Sequence, residues 1–252
     1  MFTYGSLGIC PGAPASSWFD NSGVEGYVKG MPERRRLFAG IDCSSPWGGI
    51  ALFDGFKVVG SVCMQGSRAH PFQPVYWIEK LLAALNASTE ELAGIGVTVG
   101  PGMFTGLRVG LAVAKGLAFS LDLPLYPLTS LEAIALCLPV KGLLCPVLDA
   151  RRGQFYLAIY RWVDGSLQPV TDIMLLPKER VQEVSGKVVF VGPGLSAAGV
   201  KGLDLPMPTA AAVARWAYQS QGAGETPADV ASLAPVYLRP SDAEANRGIR
   251  VV

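Results

Sequence analysis

From Leu37 onward, short apolar runs separated by turn residues recur in an ordered way. The run 37–42 ends in an acid, and the apolar stretches 49–53 and 57–62 follow it, joined by an Asp54-Gly55 turn. An Asp-Gly pair between two apolar runs is a strong hairpin signal. We therefore predict three strands in a meander.

A helical stretch and a further strand follow the meander. The helix is predicted at Pro74 to Leu85, and the strand at Ile95 to Val99 runs directly into Gly100-Pro101-Gly102. The apolar residues at helical spacing are Ile78, Leu81, Leu82 and Leu85. They share one face, which indicates a helix that packs on the sheet.

The same succession begins again at residue 143. The run 143–149 again ends in an aspartate, a strand is predicted at 155–160, and an Asp164-Gly165 turn leads into another run. The apolar segment 188–191 then enters a second Gly-Pro-Gly, at 192–194. Two ordered echoes with the same succession of elements predict two copies of one mixed α/β unit.

The repeats set the predicted domain organisation. Residues 1–36 are rich in Gly, Ser and Pro and have no apolar periodicity. They are interpreted as a flexible extension, or as sequence upstream of a true start at Met31. The first lobe is placed at 37–140 and the second at 141–252.

The composition is apolar, with 50% hydrophobic and 16% charged residues and a mean hydropathy of +0.34. Charged residues and prolines interrupt the most apolar stretches, 106–125 and 131–148, so no membrane span is predicted. A net charge of +1 disfavours tight direct binding of nucleic acid. Five scattered cysteines without a CxxC pair favour a reduced, cytoplasmic compartment.

The most specific motif is the glycine-rich segment 100–110, which follows a predicted strand and opens a predicted helix with Thr105 as its N-cap. Backbone N–H groups at such a turn suit an anion. The candidate anion or nucleotide contacts here are Gly100, Gly102, Thr105 and Arg108. The segment lacks the ending of a P-loop, and a tight turn with close packing explains it equally well.

The helix after this motif has a stripe of small residues at every fourth position. The stripe is Gly106, Gly110, Ala114 and Ala118, and Leu107, Leu111 and Leu117 lie beside it. Small side chains allow another helix or a sheet to approach closely, either within the fold or across subunits. The apolar excess of the chain favours a partner interface, with packing on the chain's own sheet as the alternative.

Asp42 and Asp149 end equivalent strands, where paired acids could hold a metal or activate water. Asp42 and Ser44 are candidate nucleotide or anion contacts. The loop after Asp42 has no glycine, and the loop after Asp149 begins Ala-Arg-Arg, so both are poorly suited to phosphate. His70 is the only histidine, so no histidine metal cluster is predicted.

The segment 100–118 resembles the TsaB (YeaZ) family, whose motif is Gly-Pro-Gly, a variable residue and Phe-Thr-Gly-Leu-Arg. Segments 41–44, 149–153 and 235–239 support the resemblance, which extends over 37–244. Met103 departs from the family, where a small residue is usual.

The resemblance implies an α/β, actin-like (ASKHA) fold of two ribonuclease-H-like lobes, each a mixed sheet with helices. It also implies a pseudo-enzyme that pairs with TsaD and the ATPase TsaE, and that forms a homodimer when alone. The complex transfers a threonylcarbamoyl group to the adenosine beside the anticodon in tRNAs reading ANN codons. tRNA would be contacted only through that complex, and ATP or ADP with magnesium would bind only there, with no tightly bound cofactor or metal in this chain.

Two alternatives remain at this stage. An ATP-dependent small-molecule phosphotransferase of the same superfamily would need functional phosphate loops after Asp42 and Asp149. A metallopeptidase would need metal ligands that the chain does not offer.

Overall fold

A computed structural model describes residues 35–66, 72–184, 188–205 and 209–238. The predicted extension 1–36 lies outside these ranges except for Arg35 and Arg36. The first repeat contains β1 (Leu37–Asp42), β2 (Trp47–Phe53), β3 (Val58–Gln65), α1 (Pro74–Ala84), β4 (Leu92–Gly100), α2 (Phe104–Leu121), β5 (Leu125–Thr129) and α3 (Ser130–Leu136). The second contains β6 (Leu143–Asp149), β7 (Gln154–Leu157), β8 (Tyr160–Val163), β9 (Ser166–Pro169), β10 (Met174–Pro177), α4 (Lys178–Glu183), β11 (Val188–Val191), α5 (Leu195–Ala198), β12 (Gly202–Leu203) and α6 (Ala210–Gly222).

The two repeats build sheets of the same topology. The first sheet has the order β3-β2-β1-β4-β5, and the main path of the second is β10-β7-β6-β11-β12. In each, the first strand pairs antiparallel with the meander and parallel with the strand that enters Gly-Pro-Gly. The predicted duplication and the actin-like fold of two mixed lobes are confirmed.

The predicted strand 155–160 is interrupted at Ala158-Ile159. The Ile159 N–H donates to the Thr171 hydroxyl (2.9 Å), and its carbonyl accepts from Val170 N–H (2.7 Å). These bonds replace the regular ladder, so the path divides into β7 and β8. The hairpin turn at Asp164-Gly165 joins β8 to β9, with φ of 48° and 82° at its two residues, as a two-residue turn between antiparallel strands requires.

Helix α6 belongs to the second repeat but packs on the first sheet. A Cβ added at Gly40 of β1 or Gly96 of β4 would overlap backbone atoms of α6, so glycine is required for this close approach. The alanine-rich face of α6, including Ala214 and Ala217, is buried there with Phe38. Helix α6, which the domain prediction placed in the second lobe at 141–252, therefore packs on the sheet of the first lobe.

Helix α3 makes the reciprocal crossing. Its Leu131 and Ile134 are buried with Leu144 and Leu148 of β6, so it packs on the second sheet although the prediction placed it in the first lobe. Helices α1 and α2 cover the other face of the first sheet, and α4 and α5 cover the other face of the second. The lobes are thus joined by two exchanged helices.

Helix α2 is long and apolar enough to span a membrane by length and composition, and it is the one helix of this kind among the described residues. Its inner face packs on the first sheet. Its cation Lys115 donates to the carbonyl oxygens of Ala231 (3.1 Å) and Leu233 (3.0 Å). These contacts are those of a helix packed on a globular fold.

Candidate functional site

Asp42 lies at the end of β1 and is fully buried. One carboxylate oxygen accepts hydrogen bonds from the Ser44 N–H (3.0 Å), the Ser44 hydroxyl (2.7 Å) and the Thr98 hydroxyl (2.9 Å). The other accepts from the N–H (3.0 Å) and the hydroxyl (2.7 Å) of Thr209. Five internal donors saturate a group that has about four lone-pair sites.

This network argues against the prediction that Asp42 and Ser44 contact a nucleotide or anion. Ser44 is buried, and its hydroxyl donates to the carboxylate. Asp42 offers no open oxygen, because hydroxyl and amide donors from three segments already occupy both. Thr98 and Thr209 are members of this cluster that the sequence did not reveal.

The Gly-Pro-Gly turn packs tightly against the rest of the chain. Gly100 has φ of 110°, and a Cβ there would lie 2.8 Å from the Val236 carbonyl oxygen. A Cβ on Gly102 would overlap the carbonyl oxygen of Ser44, which also accepts from Met103 N–H at 2.7 Å. The turn and close-packing interpretation therefore describes these glycines, rather than an open anion cradle.

The N-cap of helix α2 lies two residues earlier than predicted. Phe104 is its first residue and Met103 is the N-cap, without a side-chain hydrogen bond. The prediction of Thr105 as N-cap is wrong, because Thr105 lies inside the first turn, where its side chain is exposed. A true capping box occurs instead at Thr129, whose hydroxyl accepts from Glu132 N–H (3.2 Å) at the start of α3.

Arg108, proposed from sequence as an anion contact, is held by two aromatic rings. Its Nε donates to the Tyr237 hydroxyl (3.0 Å), and its guanidinium carbon lies 3.8 Å from the centroid of the Phe104 ring. The Phe104 and Tyr237 rings stack with centroids 4.7 Å apart. This cluster fastens the C-terminal segment to the start of α2, and Tyr237 is a participant that sequence spacing did not identify.

The small-residue stripe of α2 faces the chain's own sheet. Leu107, Gly110, Leu111, Ala114 and Ala118 are buried. A Cβ added at Gly106 would overlap the Cys43 carbonyl oxygen, whereas one at Gly110 would lie 3.1 Å from the Cys43 Cβ. Leu117 packs, half-buried, on the same core. The prediction that these residues form a partner interface is wrong, because the first sheet already occupies that face.

The opposite face of α2 is exposed. We call Val109, Ala112, Gly116 and Phe119 the outer stripe, since their spacing places them along one line of the helix. The Phe119 side chain is 83% exposed, and a Cβ added at Gly116 would meet no atom within 4 Å. The helix thus has small residues on both faces, and only the outer ones are accessible.

Asp149 has different surroundings from Asp42. Its side chain is 41% exposed; it accepts from Arg151 N–H (2.7 Å), and its other oxygen lies 3.9 Å from a guanidinium nitrogen of Arg151. Arg151, Arg152 and Gly153 all have positive φ, between 54° and 70°. A turn of this shape places arginine side chains, rather than a glycine backbone, at the strand end.

Neither aspartate loop is an open, glycine-rich phosphate turn. The donors after β1 already bind Asp42, and the turn after β6 contains Arg151 and Arg152. Within the described ranges no group of three or more His, Cys, Asp or Glu side chains could hold a metal ion. His70 lies outside those ranges.

Comparison with known proteins identifies the family. The family model TsaD, described as tRNA N6-adenosine threonylcarbamoyltransferase, matches residues 58–231. The TsaB protein of Bacillus subtilis (strain 168), named for tRNA threonylcarbamoyladenosine biosynthesis, is 33% identical over 224 residues, covering 81% of this chain and 95% of its own. The chain belongs to the TsaB family. TsaB of Escherichia coli (strain K12) is 31% identical, covering 68% of this chain and 81% of its own.

The solved structure of YeaZ from Pseudomonas aeruginosa shares the fold, with a TM-score of 0.70 and 22% identity over 81% of this chain and 100% of the other. The family predicted from segment 100–118 is thus confirmed. With it, the role of the chain in tRNA modification is established at the level of threonylcarbamoyladenosine biosynthesis.

Proposed function

We propose that this chain is a non-catalytic TsaB subunit that pairs with a TsaD homologue through the outer stripe of α2. The observation that supports this proposal is the exposed apolar line from Val109 to Phe119. An exposed aromatic beside small residues is typical of an interface, since the ring offers a large contact area and the small residues allow close approach. The same face would serve the homodimer when the chain is alone.

The surroundings of the two aspartates support the absence of catalysis. Asp42 is saturated by internal donors, and Asp149 stands beside an arginine turn, so neither is placed to hold a metal or activate water. ATP or ADP with magnesium would then bind in the complex with the TsaD and TsaE homologues, not tightly to this chain. With a net charge of +1, the chain would contact tRNA only through that complex, in the cytoplasm.

Binding of a purified TsaD homologue from the same cell tests the interface. Phe119→Asp should weaken that binding at least tenfold, because a carboxylate would be buried at the contact. Phe56→Asp is the matched control, since Phe56 is also 83% exposed. It lies in the β2–β3 turn and not on α2. Its neighbour Gly55 approaches Tyr218 of α6, which packs on the other face of the sheet. Equal binding by both variants would refute the proposed face.

A modification assay tests the lack of catalysis. The purified chain, supplied with tRNA, ATP and the threonylcarbamoyl precursor, should give no modified tRNA, and adding the TsaD and TsaE homologues should restore it. Modified tRNA formed by this chain alone would contradict the proposal.

A further inference from the structure

The donors around Asp42 come from three separated parts of the chain. Ser44 belongs to the turn after β1, Thr98 to β4 and Thr209 to the residue before α6. The Asp42–Thr209 bonds join positions 167 residues apart. One buried carboxylate therefore connects the central strand of the first sheet with helix α6, which the second repeat contributes.

The contact with α6 is made at its N-terminus. Thr209 is the N-cap of this helix, yet its hydroxyl makes no capping bond and instead donates to Asp42, as does its N–H. The negative carboxylate thus lies where the helix dipole and unpaired N–H groups favour an anion. The chain supplies that anion itself.

The same carboxylate is linked to the start of α2 through Ser44. It accepts hydrogen bonds from both the N–H and the hydroxyl of Ser44. The Ser44 carbonyl in turn accepts from the N–H of Met103 (2.7 Å), and Met103 is the N-cap of α2. Helices α2 and α6 lie on opposite faces of the first sheet, so one buried group fixes the starts of both.

We propose that Asp42 is a positioning residue that acts as an internal anion. Its carboxylate holds the α6 start, the end of β4 and the Ser44 turn in one arrangement. This arrangement orients α2 through contacts within the chain. Only the consequence for partner binding rests on the proposed function.

Anion rescue tests the internal-anion role without a partner. Asp42→Ala should leave a small buried site lined by hydroxyl and amide donors. Sodium formate should raise the thermal midpoint of this variant by several degrees more than sodium chloride at equal ionic strength, with no such difference in the unchanged protein. Hydrogen exchange should show protection regained at the starts of α2 and α6. A formate effect equal to that of chloride would overturn the proposal.

A milder pair of variants covers the case in which Asp42→Ala does not fold. Thr209→Val removes the hydroxyl donor with little change of volume, and Thr209→Ser retains it. Faster amide exchange at the α6 start in Thr209→Val, but not in Thr209→Ser, is expected. Identical exchange in the two variants would contradict the positioning role.

Affinity for the TsaD homologue separates this inference from the proposed function. Thr209→Val should bind several-fold more weakly than Thr209→Ser, although Thr209 does not lie on the outer stripe. If the unchanged protein fails to bind, the proposed function fails while the formate result still decides the role of Asp42. If it binds and the two variants bind equally, the orientation of α2 does not depend on this network.

Discussion

Asp42 and Asp149 end the central strands of two sheets with the same strand order, yet their environments are opposite. Asp42 is buried and bound by hydroxyl and backbone donors, whereas Asp149 is exposed and bound by the turn that follows it. The topology of the duplicated unit is held by apolar strands that pair and pack, which leaves the strand ends free to take different chemistry. In the first repeat the strand end at Asp42 is a buried hydrogen-bonded network, and in the second the strand end at Asp149 is a surface turn.

The exchanged helices explain why the first strand end is the buried one. Helix α6 returns to the first sheet and brings Thr209 over Asp42, with Gly40 and Gly96 allowing its backbone to approach. On the second sheet, α3 makes the equivalent crossing, but its N-cap Thr129 is satisfied locally by Glu132. The Thr129 hydroxyl is therefore already bound at its own helix start and is not a donor to Asp149.

The largest expected effect separates the two aspartates directly. Asp42→Ala should lower the free energy of unfolding by more than about 3 kcal/mol, because five buried donors lose their charged acceptor. Asp149→Ala should cost less than about 1 kcal/mol, because the group is exposed and its ion pair is long. Urea unfolding of both variants provides the comparison. Similar losses in the two would refute the contrast drawn from burial.

A pH series compares one buried thiol in each lobe. Burial, and secondarily the neighbouring Asp42 carboxylate, raises the pKa of Cys43 to about 12; burial also raises the pKa of Cys145 to about 12. Above pH 9 the unfolded chain loses these protons while the folded chain keeps them, so stability falls as pH rises towards 12. The loss approaches about 1.4 kcal/mol per pH unit for each thiol.

Chemical denaturation between pH 8 and 10 measures this slope. Buried tyrosines such as Tyr160, whose pKa burial also raises, contribute towards the upper end of this range. Cys43→Ala and Cys145→Ala should each reduce the slope by a similar amount, and the double variant should reduce it most. A slope unchanged in the double variant would assign the alkaline loss to other groups.

The third contrast lies within α2. Gly110→Leu should destabilise the folded monomer by about 1–3 kcal/mol, because a Cβ there would already lie 3.1 Å from the Cys43 Cβ. Gly116→Leu should leave the midpoint unchanged or raised, since its Cβ meets nothing and leucine favours a helix over glycine. On the proposed function, Gly116→Leu instead weakens partner binding. Thermal melts beside light scattering distinguish these effects, and early melting of both variants would contradict the assignment of the two faces.

The succession of elements was predictable because each signal is local. Apolar runs, the Asp54-Gly55 and Asp164-Gly165 turns and the two Gly-Pro-Gly segments predicted the duplication, and the sheets confirm it. The candidate site was harder to predict from the sequence, because Thr98 and Thr209, which bond to Asp42, lie 56 and 167 residues away from it. A threonine before a helix reads as a local cap, and no spacing rule indicates that Thr209 bonds across the fold.

The predicted partner interface was placed on the wrong face of α2 for a similar reason. Residues Gly106 and Gly110 form one small-residue stripe, and Ala112 and Gly116 form another on the opposite side. Helical periodicity defines both lines but not which one meets the sheet. The structure distinguishes the two faces, because Gly110 packs on Cys43 whereas Phe119 is exposed.

The smallest expected effect concerns the arginine turn after β6. Arg151 has φ of 66°, a left-handed conformation that costs a residue with a Cβ about 1 kcal/mol or more. Arg151→Gly should relieve this strain but lose some of the gain to the greater freedom of the unfolded chain, for a net stabilisation below about 1 kcal/mol. Arg151→Ala removes the same side chain and ion pair while retaining the Cβ, so it should not stabilise the protein. Matched urea titrations of the two variants measure the difference. If Arg151→Ala proves as stable as Arg151→Gly, the left-handed conformation at residue 151 costs no measurable stability. Backbone strain is then not a difference between this turn and the buried strand end at Asp42.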